Sequence, residues 1–246
     1  MSKPLANKVA LVTGASRGIG KAAALALANS GAHVVALART TGGLEELDDA
    51  IQQAGGSATL VPADLKDGPA LDRLGASLHE RYKKLDVLVA NAAILGVLSP
   101  LGHVDPKVWD DVLAINVTAN WRLIRSLDPL LRQAEAGRAV FVTSGSGHRG
   151  DAYWGPYAVS KAGLDMLART YAAEIEKTNV RVNLFNPGPT RTRMRAQAMP
   201  GEDPMTLDPP YKIAEHILPL CLPNCDKNGM LYDYRVKRWL EFRKPE

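Results

Sequence analysis

Cysteine is scarce: Cys221 and Cys225 are the only two in 246 residues. They would share a face on a helix, but no second cysteine pair or histidine cluster joins them. His216 alone is not enough, so no metal site is expected. Two free thiols, expected to be buried, point to a reducing compartment. Long apolar runs are also missing. Nothing approaches the ~18 continuous apolar residues of a membrane span. The opening MSKPLANKVALVTG has no apolar core of a signal peptide. A cytoplasmic protein without membrane contact is the expectation. Neither sign of charge dominates: 30 Lys and Arg face 26 Asp and Glu, a formal net charge of +4. That is not a nucleic-acid-binding composition. The one dense basic stretch, RVKRWLEFRK from Arg235 to Lys244, reads as a solvated tail, with an acidic partner or membrane phosphates as the alternative. Aromatics are few, yet 46% of the chain is hydrophobic, enough for a sizeable core.

What is present is a regular alternation. The runs KVALV (8–12), HVVAL (33–37), SATLVP (57–62), LDVLVA (85–90), RAVFVT (138–143) and VRVNLF (180–185) are apolar on successive residues. Strands covered on both faces have this character. A last strand is expected near NGMLYDYR (228–235). Between the runs lie segments with helical spacing and good helix formers, at 18–31, 42–56, 67–84, 105–135 and 155–178. Strand alternating with helix over the whole length predicts an α/β fold, one parallel sheet wrapped on both faces in a single domain. No linker and no repeat is visible. Residues 194–211 break the pattern with four prolines, as a lid over a site or as plain connection.

The first strand is followed by TGASRGIG, Thr13 to Gly20, and then a helix. Glycine permits a tight turn and close backbone approach. The helix N-terminus adds unpaired N–H groups and a positive dipole end, together suited to a pyrophosphate. The spacing of Gly14, Gly18 and Gly20 is T-G-x-x-x-G-x-G. The end of the second strand separates the two nicotinamide dinucleotides. An acid there would bond the adenosine ribose 2′-hydroxyl of NAD. Here Ala38 and Arg39 stand there, with no acid before Glu45, and Arg17 lies inside the glycine turn. Two guanidiniums suit a 2′-phosphate, which predicts NADP(H) over NAD(H).

In YWGPYAVSK, Tyr157 and Lys161 are one helical turn apart. A phenol is a poor base at neutral pH, and a nearby ammonium favours its phenolate, which makes the pair a tunable proton donor and acceptor. Tyr153 lies beyond Gly155-Pro156, and proline is tolerated in a helix's first turn, so Tyr153 is expected to precede the helix. Ser144 sits thirteen residues before Tyr157, at the end of a strand, where hydroxyls face the ligand crevice. Asn116 falls inside the long helical segment, where a buried amide needs a partner or a task. Asn91 follows the fourth strand.

This set, with these spacings, resembles the short-chain dehydrogenase/reductase family from Lys8 to about Met194. The resemblance implies a Rossmann-like, doubly wound, three-layer α/β/α domain with a short lid near 191–211. It implies Tyr157 as general acid in reduction and base in oxidation, and Lys161 binding the nicotinamide ribose and lowering the Tyr157 pKa. It implies Ser144 bonding the substrate carbonyl oxygen and Asn116 holding a water that passes protons to Lys161. Around the cofactor it implies the turn Gly14, Ser16, Arg17, Gly18, Ile19 and Gly20, then Arg39. Asp64 and Leu65 would lie beside adenine, Asn91 and Ala92 after the fourth strand, and Pro187, Gly188, Thr190 and Thr192 around the nicotinamide. Two departures stand out. The family's N-N-A-G is ANAA here, with Ala93 for glycine, and the V-D-G-G-like turn near the C-terminus is replaced by GMLYDYRVKRWLEF.

The activity implied is NADP(H)-dependent interconversion of a small carbonyl compound and its alcohol. The alternatives are an NAD-dependent secondary-alcohol dehydrogenase and a non-catalytic dinucleotide sensor or scaffold. The pocket is expected from 94–98, 145–154 and 191–211. Tyr153 and Trp154 are read as an aromatic wall or as ordinary packing. Arg191, Arg193 and Arg195 are read as an attractor for a carboxylate or phosphate, or as the solvated start of the lid; His148 and Arg149 are read as a polar loop. The helices around Trp109–Leu131 and Tyr157 are apolar nearly all round, which predicts a helix-paired homodimer, with a homotetramer as the alternative.

Overall fold

The computed structural model describes residues 3–242. Eight strands form one sheet: β1 (Val9–Thr13), β2 (His33–Ala38), β3 (Ser57–Pro62), β4 (Val87–Ala90), β5 (Arg138–Val142), β6 (Arg181–Asn186), β7 (Leu231–Asp233) and β8 (Arg238–Leu240). Their spatial order is β3-β2-β1-β4-β5-β6-β7-β8. The first seven run parallel, and β8 turns back antiparallel on β7. The helices are α1 (Gly18–Asn29), α2 (Thr41–Gln53), α3 (Gly68–Tyr82), α4 (Pro106–Leu113), α5 (Ala119–Gln133), α6 (Ser146–Arg149), α7 (Gly155–Glu174), α8 (Arg193–Ala198) and α9 (Pro210–Cys221).

The unbroken apolar runs have a direct cause. Val9 and Leu11 face one core, shared with α3, α5 and α7, whereas Ala10 and Val12 face the other, shared with α1, α2 and α9. Successive strand residues point to opposite faces, and here both faces are covered. The expected three-layer α/β/α architecture in one domain is present. Chain order reverses between β1 and β4, and at such a switch point the strands' C-terminal ends open a crevice.

Four expectations need correction. The helix expected over 105–135 is broken by a π-helical turn, Ala114–Thr118, between α4 and α5. One residue too many in that turn rotates buried Asn116 toward the loop after β4. The expected edge strand is β7, but β8 closes the edge beyond it. α9 follows the proline-rich segment, with two prolines at its start where a missing N–H costs nothing. Cys221 ends α9 and is buried, whereas Cys225 lies past the helix and is half-buried, so the two do not share a helical face. Both thiols are free. His216 bonds the Tyr232 hydroxyl through Nδ1 at 2.9 Å. Among the described residues no three His, Cys, Asp or Glu side chains form a metal site, and no helix is long and apolar enough to cross a membrane. Arg243 and Lys244 of the basic stretch lie outside the described residues.

Candidate functional site

A cleft of about 790 Å³ lies over the C-terminal ends of the parallel strands. At one end is the turn between β1 and α1. Gly14 and Gly18 have φ of +67° and +57°, a region that a side chain disfavours. The first turn of α1 carries no acidic residue, and no side chain caps its amides. Those N–H groups therefore face the cleft ready for an anion. Gly14, Ser16, Arg17, Gly18 and Ile19 line the cleft, but Gly20 does not. A Cβ at Gly20 would stand 2.3 Å from the Gly14 carbonyl oxygen and 2.5 Å from Asn91 Nδ2. Gly20 thus folds the turn rather than touching a ligand. Gly43 does similar work, because a Cβ there would stand 2.9 Å from that of Ser16.

Arg17 and Arg39 are exposed and line the same end of the cleft. Arg39 lies 4.0 Å from Asp64, too open a contact to neutralise it. Asp64 and Leu65 line the cleft beside them. Next comes the loop after β4. Thr13 holds it, its hydroxyl accepting from the amides of Asn91 and Ala92 at 3.0 and 3.1 Å, and the Asn91 side chain returns a bond to the Thr13 carbonyl at 3.0 Å. Ala93 lines the cleft without closing it.

At the other end Ser144, Tyr157 and Lys161 converge. The segment Gly155-Pro156 opens α7, with Trp154 at its N-cap, so Tyr153 precedes the helix as expected. Tyr157 and Lys161 then fall on one face, 8% and 2% exposed. The Lys161 ammonium donates to the Val142 carbonyl at 2.7 Å and lies 5.7 Å from the centre of the Tyr157 ring. Burial pulls Lys161 down to about 8, against the pull of the Asp165 charge. Burial pushes Tyr157 up to about 12, against the Ser144 hydroxyl, which favours the phenolate. The net direction at Tyr157 is therefore upward, against the lowering expected beside Lys161. The ammonium is aimed at a backbone oxygen, and desolvation of the phenolate is the larger effect.

Asn116 does not line the cleft. Its Oδ1 accepts from the Ile94 amide, and its Nδ2 donates to the Ile94 carbonyl and to Ser160 Oγ, each at 2.9 Å. Both Nδ2 hydrogens are thereby used, which leaves the second lone pair of Oδ1 as this carboxamide's place for a relay water. The Asn116 backbone carbonyl accepts from Asn120 at 2.8 Å.

Pro187, Gly188, Thr190 and Thr192 line the cleft after β6. Arg191, Arg193 and Arg195 also reach it, but Arg195 is held by Glu202 in a two-pronged pair at 2.5 and 2.6 Å, and Arg191 bonds Met205 Sδ. The excursion 191–208 is closed at its base. Thr190 bridges Asp208, and the Arg191 amide donates to the Asp208 carbonyl at 3.0 Å. Trp154 lines the cleft, whereas Tyr153 is 61% exposed outside it and so forms no part of the aromatic wall.

Sequence reasoning missed Asn186. Its Oδ1 accepts from the amides of Gly145 and Gly188 at 3.2 and 3.1 Å, and its Nδ2 donates to Asp233 at 2.8 Å. A polar residue ending the buried run VRVNLFN was the available signal. It also missed Asp165, which stands one helical turn beyond Lys161.

Comparison with known proteins identifies the family. The short chain dehydrogenase family model matches residues 8–203. The Escherichia coli K12 oxidoreductase YciK, itself described as uncharacterized, is 38% identical over 240 residues, covering 95% of this chain and 94% of that one. A short chain dehydrogenase structure from Salmonella enterica serovar Typhi superposes with a TM-score of 0.91 at 37% identity, covering 95% and 98% of the two chains. One from Escherichia coli CFT073, solved in complex with NADPH, gives 0.89 at 37% identity, again covering 95% and 98%. The chain belongs to the short chain dehydrogenase family, oxidoreductases that act between CH–OH and C=O groups.

Proposed function

We propose that this protein is an NADP(H)-dependent carbonyl reductase, working as an alcohol dehydrogenase in reverse. The observation that carries the reading is the meeting of Ser144, a protonated Tyr157 and Lys161 at one end of a cleft whose other end is a bare glycine turn. The turn fits a dinucleotide. Gly14 and Gly18 have positive φ, the helix amides lack a capping side chain, and Arg17 and Arg39 line that end of the cleft, which suits a 2′-phosphate. A related structure holds NADPH. When bound, NADP(H) supplies the hydride in reduction and accepts it in oxidation.

The chain's own residues do the rest. Gly14 to Ile19 and the start of α1 hold the pyrophosphate; Arg17 and Arg39 hold the adenosine phosphate; Asp64, Leu65, Asn91 and Ala92 flank the adenosine half. Pro187, Gly188, Thr190 and Thr192 border the nicotinamide, and Lys161 holds its ribose. Ser144 orients the carbonyl oxygen of the substrate and donates to it as negative charge builds there. Tyr157 gives its phenolic proton to that oxygen. With its pKa near 12 it is fully protonated at neutral pH, which suits the reductive direction. Asn116 acts as a positioning residue that fixes Ile94 over the cleft. The excursion 191–208 is the lid, hinged at its bridged base. Trp121, Val159 and Met166 expose apolar surface on α5 and α7, which supports a homodimer through those helices.

The test is NADPH consumption with a panel of aldehydes and ketones, for native protein and Tyr157→Phe. The expected result is turnover by the native protein and a loss of at least about a hundredfold in the variant, with NADPH still bound. Equal rates would reject Tyr157 as the acid. Tight NADPH binding with no turnover of any carbonyl would point to a sensor instead.

A further inference from the structure

Asp165 is an ionisable group that the proposed chemistry does not use. It lies on α7 one turn beyond Lys161, is 3% exposed, and has both carboxylate oxygens closed off from water. Neither oxygen makes an aligned hydrogen bond. The close contact is His148 Nε2 to Asp165 Oδ2 at 2.8 Å. The groups that face Asp165 come from three directions: Thr143 from the end of β5, His148 from α6, and Lys161 and Arg169 from α7 itself. Arg169 is turned over the Phe242 ring at 4.3 Å, and the His148 ring packs beside that same ring. α6 is pressed onto α7 at this level, since a Cβ at Gly147 would stand 2.9 Å from the Ala162 nitrogen.

A carboxylate this deep carries a large desolvation cost unless it faces positive charge. Lys161 has the complementary problem: the residue is 2% exposed, and its ammonium donates only to the Val142 carbonyl. The two buried charges lie on one face of one helix, and each lessens the penalty of the other. We infer that Asp165 is a positioning residue: one helical turn from Lys161, buried with it and tied to the surface by His148, its carboxylate offsets the Lys161 charge that the ribose needs. This rests on the reading of Lys161 as the group that holds the nicotinamide ribose. The directions of titration agree. Burial lowers Lys161 and Asp165 raises it, while burial raises Asp165 and Thr143, His148 and Lys161 lower it.

The experiment compares native enzyme, Asp165→Asn and His148→Gln across about pH 5.5 to 9.5. It records NADPH-dependent carbonyl reduction and, without carbonyl, NADPH affinity by nucleotide fluorescence. In Asp165→Asn the upper pH limit of both quantities should move down by at least about one unit, leaving the acid side near native; that is about a tenfold loss on the alkaline side. His148→Gln, at an exposed position, should move both limits the same way by a smaller interval. Superimposable profiles for a folded Asp165→Asn would overturn the inference. Should that variant not fold, an unmoved profile for His148→Gln overturns it and a moved one sustains it. Tyr157→Phe separates the two claims. If the native enzyme turns over and Tyr157→Phe does not, an unmoved Asp165→Asn profile counts against the inference alone. If native protein neither binds NADPH nor turns over, the functional reading fails first.

Discussion

Lys161 and Val142 are joined by a 2.7 Å hydrogen bond from a buried ammonium to a backbone carbonyl. The bond points the charge at the end of β5 rather than at the phenol. Burial therefore dominates the titration of both groups, opposed at Lys161 by the Asp165 charge and at Tyr157 by the Ser144 hydroxyl.

The pH dependence of stability follows from those two shifts. Lys161 falls from 10.5 to about 8 on folding, so between those values the unfolded chain binds more protons, and stability rises with pH. Tyr157 rises from 10.0 to about 12, so above about 10 the folded state binds more, and stability falls. Lys161→Met should lose the rise. Its stability relative to native protein should be higher by on the order of 3 kcal/mol near neutrality than at about pH 10.5. Urea midpoints across that interval measure it; parallel curves for the two proteins would refute the assignment. Reduction by native enzyme should also decline above about pH 8, as Lys161 loses its proton.

Arg17→Ala and Arg39→Ala should each weaken NADPH binding about tenfold, roughly one charge-assisted contact, and leave NADH binding within about twofold. Fluorescence titration with both nucleotides reads the result. A native preference for NADH would refute the pairing of these side chains with a 2′-phosphate.

Gly20→Ala should abolish dinucleotide binding without touching a ligand. Its Cβ has no room beside the Gly14 carbonyl and Asn91. The turn must shift, at about 1–3 kcal/mol of overpacking. Thermal unfolding and NADPH titration should both register the change.

Tyr153 and Trp154 should separate cleanly. Trp154→Ala alters a cleft wall and should change KM among carbonyl substrates severalfold. Tyr153→Phe should leave kinetics unchanged, because that ring lies outside the cleft. Tyr153 has φ of +70°, so Tyr153→Gly should raise stability by up to about 1 kcal/mol. A changed substrate preference in Tyr153→Phe would place the residue back in the wall.

The parts of this fold that were legible in the chain are those governed by local periodicity. Runs such as HVVAL, short, β-branched and bounded by turn residues, read as strands buried on both faces. The turn residues around Gly14 and Gly18 could only serve a strand-to-helix crossing. What the chain concealed depends on distant partners. β8 is three residues, partly exposed, and exists because β7 offers an edge. The π turn at Asn116 is favoured by three hydrogen bonds to groups 22 and 44 residues away, against the helical preference of its neighbours. The meeting of Ser144, Tyr157 and Lys161 at one cleft was legible, because spacing along one helix and one strand end determines it. The direction of the Tyr157 shift was not, since burial belongs to the folded whole. Asp165 was within reach by the same one-turn spacing that marked Lys161.

Asn186 gives the cleft a mechanical property. One side chain grips the amide of Gly145 and the amide of Gly188 and is itself anchored on Asp233. The loop that carries Ser144 and the loop that leads into the 191–208 excursion are thus tied together. A displacement of Gly188 would pull on Gly145, one residue from the Ser144 hydroxyl, so one buried carboxamide holds the segment after β6 and the segment after β5 in register with each other.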